Sequence, residues 1–344
     1  MQKCLPAEMS LALPFSQGAK IAMEIGVRSA HPQRPLQQQP IAASSAGASS
    51  AAASSAAASS AVTSPAVDRR AADKSLQSLF SEVLRGAGRV GFASAHTAEQ
   101  GDAQASRPLE ERIAQTWNDW YQTTQSGRYA TPKMTASLGE GFGNILQRAY
   151  EAGGYVAPHA FLNSLSPAEL ATVQHVHLLA EPIQVDSLSE EGALNLLLPA
   201  AAQVDLNRDG LTHSGAGAIL KFPDSTTPPA VVAAWEQATQ DLPFGERMTY
   251  VLQMKLPVLL ANMELDQQGH FVRQRQPGDA DFVNPLAAAG YSFEQAASAW
   301  MDHLNYFKNQ LDPARYAKDM QFWQTFQSAL RDNSAQSTLR RATA

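Results

Sequence analysis

Cysteine is nearly missing: Cys4 stands alone in 344 residues. That excludes an intrachain disulfide, a CxxC redox pair and a cysteine-rich zinc site. Long apolar runs are missing too. Clusters such as Leu196-Leu197-Leu198 and Val258-Leu259-Leu260-Ala261 fall far short of the ~18 residues of a membrane span. Basic charge is scarce, with 26 Lys and Arg against 32 Asp and Glu, and no block of five basic residues occurs. A net charge of −6 argues against nucleic acid as a partner, since such binders carry a basic face. Complete catalytic signatures are also lacking: there is no HExxH, no GxSxG and no Walker A run.

Large side chains are absent over residues 42–60, which hold only Ala, Ser and Gly47. Nothing there offsets the entropy of ordering, so residues 1–67 are expected to form a disordered arm. Within it, Ile21, Met23, Ile25 and Val27 alternate like a short strand, and His31–Pro40 reads as a Pro/Gln linker. The segment Met9–Phe15 is interrupted by Ser10 and Pro14, so it makes a poor signal peptide. A cytoplasmic location is expected. Export addressed by the arm is the alternative, and the Ala-, Gln- and Ser-rich composition suits a bacterial chain.

What is present is helical periodicity. Leu76, Leu79, Phe80, Val83 and Leu84 form one apolar stripe over residues 68–86, ended by Gly86 and Gly88. With residues 87–105 read as a linker, this helix is tethered between flexible segments and available to a protein partner. A helical globular domain is expected over 106–332, with 333–344 as a frayed tail. Leu109, Ile113, Trp117, Trp120 and Tyr121 open it. Residues 131–143 read as a loop because of Pro132, Gly139, Gly141 and Gly143. Ser166-Pro167-Ala168-Glu169 is a capping box, and Ser187–Glu190 repeats the pattern. Pro257 is expected to end or kink a helix that begins near Pro243. A small β-hairpin is expected near 263–273. Ser292 and Asp312-Pro313 start two helices that form a C-terminal antiparallel hairpin. The fold class is therefore mainly α, an irregular multi-helix domain.

The sharpest local motif is Val204-Asp205-Leu206-Asn207-Arg208-Asp209-Gly210. Oxygen donors at alternate positions followed by glycine let one turn wrap a hard cation. This stretch resembles the first half of an EF-hand calcium loop. The resemblance implies Ca²⁺ as the cofactor, with Asp205, Asn207, Asp209 and the Leu211 carbonyl as donors. The pattern then departs, because His213 stands at the ninth loop position and Ala216 where the family carries a bidentate Glu. Asp224 is the nearest downstream acid that could replace it. The alternative is an Asx-rich surface turn.

Other candidates read as structure. His175 and His177 lie in a helix, where positions i and i+2 point about 200° apart and cannot share a metal. Leu138–Gly143 lacks the Lys-Ser/Thr of a phosphate loop. The aromatic clusters keep helical spacing, which places them in the core. Glu110-Glu111, Glu190-Glu191 and Asp279/Asp281 read as solvated acids. The leading functional expectation is a non-catalytic binding or interaction protein with a weak Ca²⁺ loop at 205–210. The alternative is an enzyme whose acids and histidines converge only in the fold.

Overall fold

The computed structural model describes residues 65–95, 107–124 and 132–342. The Ala/Ser arm, the 21–27 alternation and the Pro/Gln linker lie outside the described residues. The chain is mainly helical, as the periodicity predicts. The described elements are α1 (Pro65–Gly86), α2 (Leu109–Thr124), α3 (Pro132–Glu151), α4 (Pro158–Asn163), α5 (Pro167–Val176) and α6 (Glu190–Leu196), then the hairpin β1 (Thr212–Ser214) and β2 (Gly217–Ile219). There follow α7 (Pro229–Thr239), α8 (Phe244–Ala261), the hairpin β3 (Met263–Leu265) and β4 (Phe271–Gln274), α9 (Phe293–Tyr306) and α10 (Pro313–Ala342). Both hairpins are antiparallel, with Thr212 opposite Ile219 in one and Met263 opposite Gln274 in the other. No described helix is long and apolar enough to cross a membrane.

Two apolar cores organise these elements. The first gathers the α1 stripe, Ile113, Trp117, Trp120 and Tyr121 of α2, Phe142, Ile145 and Leu146 of α3, and Leu194 to Leu198. It closes at Val204. The second begins at Phe222 and gathers Trp235 of α7, Tyr250 and Met254 of α8, Leu304 of α9, and Trp323 and Phe326 of α10. In the second core α10 packs against both α7 and α9, so the expected C-terminal helical hairpin is present. Its start is set by Asp312, whose Oδ1 accepts from the Arg315 amide at 2.9 Å.

Helix α1 does not hang free. Leu76, Phe80 and Leu84 have no exposed surface, and Leu79 and Val83 are also buried. The helix packs along α2. Asp73 accepts from the Trp120 indole at 2.6 Å, and Arg70 donates to the carbonyls of Glu236 and Thr239 on α7. The apolar stripe that made α1 a docking element for a partner is therefore covered by the chain itself. The described part of the expected linker is packed as well. Phe92 lies on the first core, the Ala93 amide donates to the Ser225 carbonyl at 2.7 Å, and Arg89 donates to the Tyr155 carbonyl.

Residues 132–143 are helix rather than loop. The glycines serve close packing instead of a turn. A Cβ on Gly139 would stand 2.6 Å from the Tyr121 ring, and one on Gly143 would stand 3.0 Å from the Trp117 indole. With bare backbone there, Trp117 Nε1 donates to the Gly139 carbonyl at 2.8 Å. Leu138–Gly143 is mid-helix and not a helix start, so it presents no free amides of the kind a phosphate loop uses.

Pro257 lies inside α8, which runs on to Ala261. Tyr250, Val251 and Met254 before it and Val258 after it are all buried. That packing outweighs the ~3 kcal/mol cost of an internal proline. Asn262 closes the helix by donating to the Val258 carbonyl at 2.7 Å.

Candidate functional site

The candidate site lies where the first core ends and the second has not begun. Helix α6 starts at Ser189, whose side chain accepts from the Gly192 amide. The cap is thus two residues later than the Ser187–Glu190 pattern suggests. Glu190 and Glu191 then occupy the first two helical positions, about 100° apart around the axis. They point to different places. Glu190 turns outward to Arg89 and to His159 Nδ1. Glu191 turns inward, with 3% of its surface exposed, under the 205–213 segment. Its Oε2 accepts from the amides of Leu206 (2.9 Å) and Asn207 (3.2 Å), and its Oε1 from that of His213 (2.7 Å).

Above Glu191 the Asp205–Leu211 segment closes as a tight loop. Asp205 Oδ2 accepts from the Gly210 amide at 2.9 Å. Asn207 Oδ1 accepts from the Asp209 amide, and Asp209 Oδ1 from the Leu211 amide at 2.8 Å. Gly210 has φ of 87°, the left-handed conformation that favours glycine, and the neighbouring Arg208 has φ of 60°. The structure thus brings Asp205, Asn207 and Asp209 together on one loop, with Leu211 at its end. Asp205 and Asp209 are both buried. Asn207 and Arg208 at its tip are exposed, so the segment is an Asx-rich turn whose two acids face inward.

One acceptor is left over. Asp205 Oδ1 is buried and has no hydrogen-bond partner. Burial, followed by the Glu191 charge, pushes the Asp205 carboxyl up to about 7, against the opposing Gly210 N–H. Burial also raises Glu191 despite its three amide donors. His213 Nε2 stands 3.6 Å from Asp209 Oδ2 and has no hydrogen-bond partner.

Asp224 is close but already committed. Its Oδ1 accepts from the Thr226 amide and from the Thr226 and Thr227 hydroxyls. Its other oxygen is paired with Lys255, whose Nζ also donates to the Gly210 carbonyl at 2.9 Å. Although burial opposes its ionisation, the ion pair and these hydroxyls hold Asp224 below the usual carboxylate range. It does not stand in for the missing acid of the loop pattern. Glu191, which the sequence showed only as half of an acidic pair, is the acid that underlies the loop. The cap at Ser189 was the signal that could have separated the two glutamates.

Two ammonium groups face these four buried carboxylates: Asp224 takes Lys255, and Lys221 donates to the Ala200 carbonyl and Gln203 Oε1, so neither bonds Asp205 or Asp209. Among the described residues, no three His, Cys, Asp or Glu side chains are arranged to hold a metal ion as they stand. A cation here would draw on Asn207 and a main-chain carbonyl beside Asp205 and Asp209. All are hard oxygen donors of the type Ca²⁺ prefers.

The remaining candidates have structural partners. His175 is exposed on α5, whereas His177 ends that helix in a polar pocket. His177 Nε2 bonds the Leu196 carbonyl at 3.0 Å, and Gln203 Nε2 lies 3.3 Å from Nδ1. This pattern fits the neutral ring, with Nε2–H donating and Nδ1 accepting. Burial pushes the imidazole down to about 4. A histidine depressed in the fold charges first in the unfolded chain. Stability is then lost as pH falls from about 6.5 towards 4. We expect urea melts to lose about 2 kcal/mol over that window through this group. His177→Gln, compared with the unaltered chain, should flatten the slope there. Asp279 and Asp281 bond the Gln276 amide and the Arg273 and Arg275 side chains. In the second core Trp300 stacks on Trp323, and Trp235 meets Phe222, Phe322 and Phe326 edge to face.

No family model matches the chain, and no curated protein or solved structure is similar to it.

Proposed function

We propose that this chain is a non-catalytic calcium-binding protein, with Asp205, Asn207, Asp209 and the Leu211 carbonyl as donors. The observation that carries the reading is Asp205 Oδ1, a buried carboxylate oxygen without a partner at the head of an alternating Asp-x-Asn-x-Asp-Gly loop. A buried unpaired charge costs several kcal/mol. A proton or a cation relieves it, and the donors beside it suit a hard divalent ion. The EF-hand likeness of the loop points the same way. The buried stripe of α1 takes no part in this proposal.

The test is thermal melting of the full chain at pH 7.5 after chelation, with Ca²⁺ or Mg²⁺ added back. At free Ca²⁺ near 100 times Kd, binding contributes about 2.7 kcal/mol. That corresponds to a rise in Tm of about 5–10 °C for a unit of this size. Mg²⁺ should do less, because it keeps its waters and demands a tighter octahedron. Asp205→Asn should remove the rise. An unchanged Tm at millimolar Ca²⁺, or an equal rise in the variant, rejects the site.

A further inference from the structure

Beside the contacts of Arg70 with α7, the loop is another place where the two cores are fastened together. Val204, just before it, belongs to the first core, and Phe222, beyond the β1–β2 hairpin, belongs to the second. Glu191 holds the loop from the first-core side through three amides. Two residues from the other side hold its main-chain carbonyls. Lys255 of α8 donates to the Gly210 carbonyl at 2.9 Å, and Asn284 Nδ2 donates to the Arg208 carbonyl at 2.9 Å. Asn284 is packed so close that a Cβ on Gly210 would stand 3.0 Å from its amide. Asn284 also accepts from the Leu286 amide, and its neighbour Val283 donates to Asn262 at the end of α8. The Arg208 carbonyl therefore links the loop through Asn284 and Val283 to Asn262 at the α8 terminus, and the Gly210 carbonyl links it to Lys255 within that helix.

We infer that the 205–211 loop is a cation-controlled clasp: its occupancy sets how firmly the α8 terminus and the 282–287 segment are held on the first core. This rests on the proposed calcium reading. The physical reason is local. The loop carries four buried carboxylates on or beside it, and Lys255 is shared between Asp224 and the Gly210 carbonyl. An ion that neutralises Asp205 and Asp209 reduces the repulsion that opens the loop. It thereby steadies the Arg208 and Gly210 carbonyls that Asn284 and Lys255 grip.

The test is amide hydrogen exchange of the full chain with Ca²⁺ and after chelation, alongside calorimetric titration of the same samples. Ca²⁺ is expected to slow exchange about tenfold at 208–211, at 257–262 and at 282–287, since local opening then requires losing the ion. Asn284→Ala keeps both carboxylates of the loop. It should still take up Ca²⁺ but lose the slowing at 282–287 while keeping it at 208–211. Calorimetric uptake with slowing confined to the loop would overturn the clasp and leave calcium binding standing. Equal slowing at 282–287 in Asn284→Ala would overturn it too. Absence of uptake in the unaltered chain would remove both readings together.

Discussion

Lys255→Met is expected to cost about 3–5 kcal/mol, because it leaves Asp224 as a buried carboxylate without its cation. Lys255 has no exposed surface and Asp224 has 6%. The ammonium also satisfies the Gly210 carbonyl, so the substitution strands two acceptors at once. Methionine keeps the stem volume, which confines the change to charge and hydrogen bonding. The companion variant, Lys255→Met with Asp224→Asn, should recover part of the loss, since the uncompensated charge is gone and the Thr226 and Thr227 hydroxyls can still bond the amide oxygen. Urea melts of the unaltered chain, the two single variants and the double variant give the coupling. A single-variant cost under about 1 kcal/mol would mean that the pair is solvated.

Phe80→Ala is expected to cost about 3–5 kcal/mol, the range for removing a buried phenylalanine. Phe80 is fully buried and meets the Tyr155 ring edge to face at 6.2 Å. The prediction separates two roles for α1. As an integral element of the first core, the helix makes its stripe a determinant of global stability. As an appendage, the same change would leave the unfolding midpoint where it was. Denaturant melts followed by tryptophan fluorescence decide, because Trp117 and Trp120 report the core that α1 covers.

These two residues also show what could be read from the chain. The α1 stripe was plain at Leu76, Leu79, Phe80, Val83 and Leu84, but periodicity shows only that a face is apolar, not what covers it. Local signals worked where the physics was local. Ser166 and Glu169 form the reciprocal capping box, and Ser292 accepts from the Gln295 amide. The 263–274 hairpin also lies where its turn residues place it. They failed where tertiary contacts set the outcome. Gly139 and Gly143 signal a loop by propensity, yet aromatic neighbours from α2 take the space their side chains would have filled. Pro257 signals a helix end, yet buried residues on both sides of it carry the helix through.

The candidate loop was half legible. Asp205, Asn207, Asp209 and Gly210 fall within one six-residue stretch, and their mutual hydrogen bonds span at most five residues, so sequence spacing reveals them. Glu191 and Lys255 come from α6 and α8. No spacing rule connects residues 14 and 50 positions from Asp205 in the chain. The same holds for Asn284, whose carbonyl partner is 76 residues away.

The deciding measurement is isothermal calorimetry of Ca²⁺ into the chelator-treated full chain at pH 7.5, with the Asp205→Asn chain as its pair. One ion per chain should bind to the first, and none should bind to the second while it stays folded. A flat titration of the unaltered chain, or an equal isotherm from both proteins, would leave the orphaned carboxylate oxygen without its cation and the account without its site.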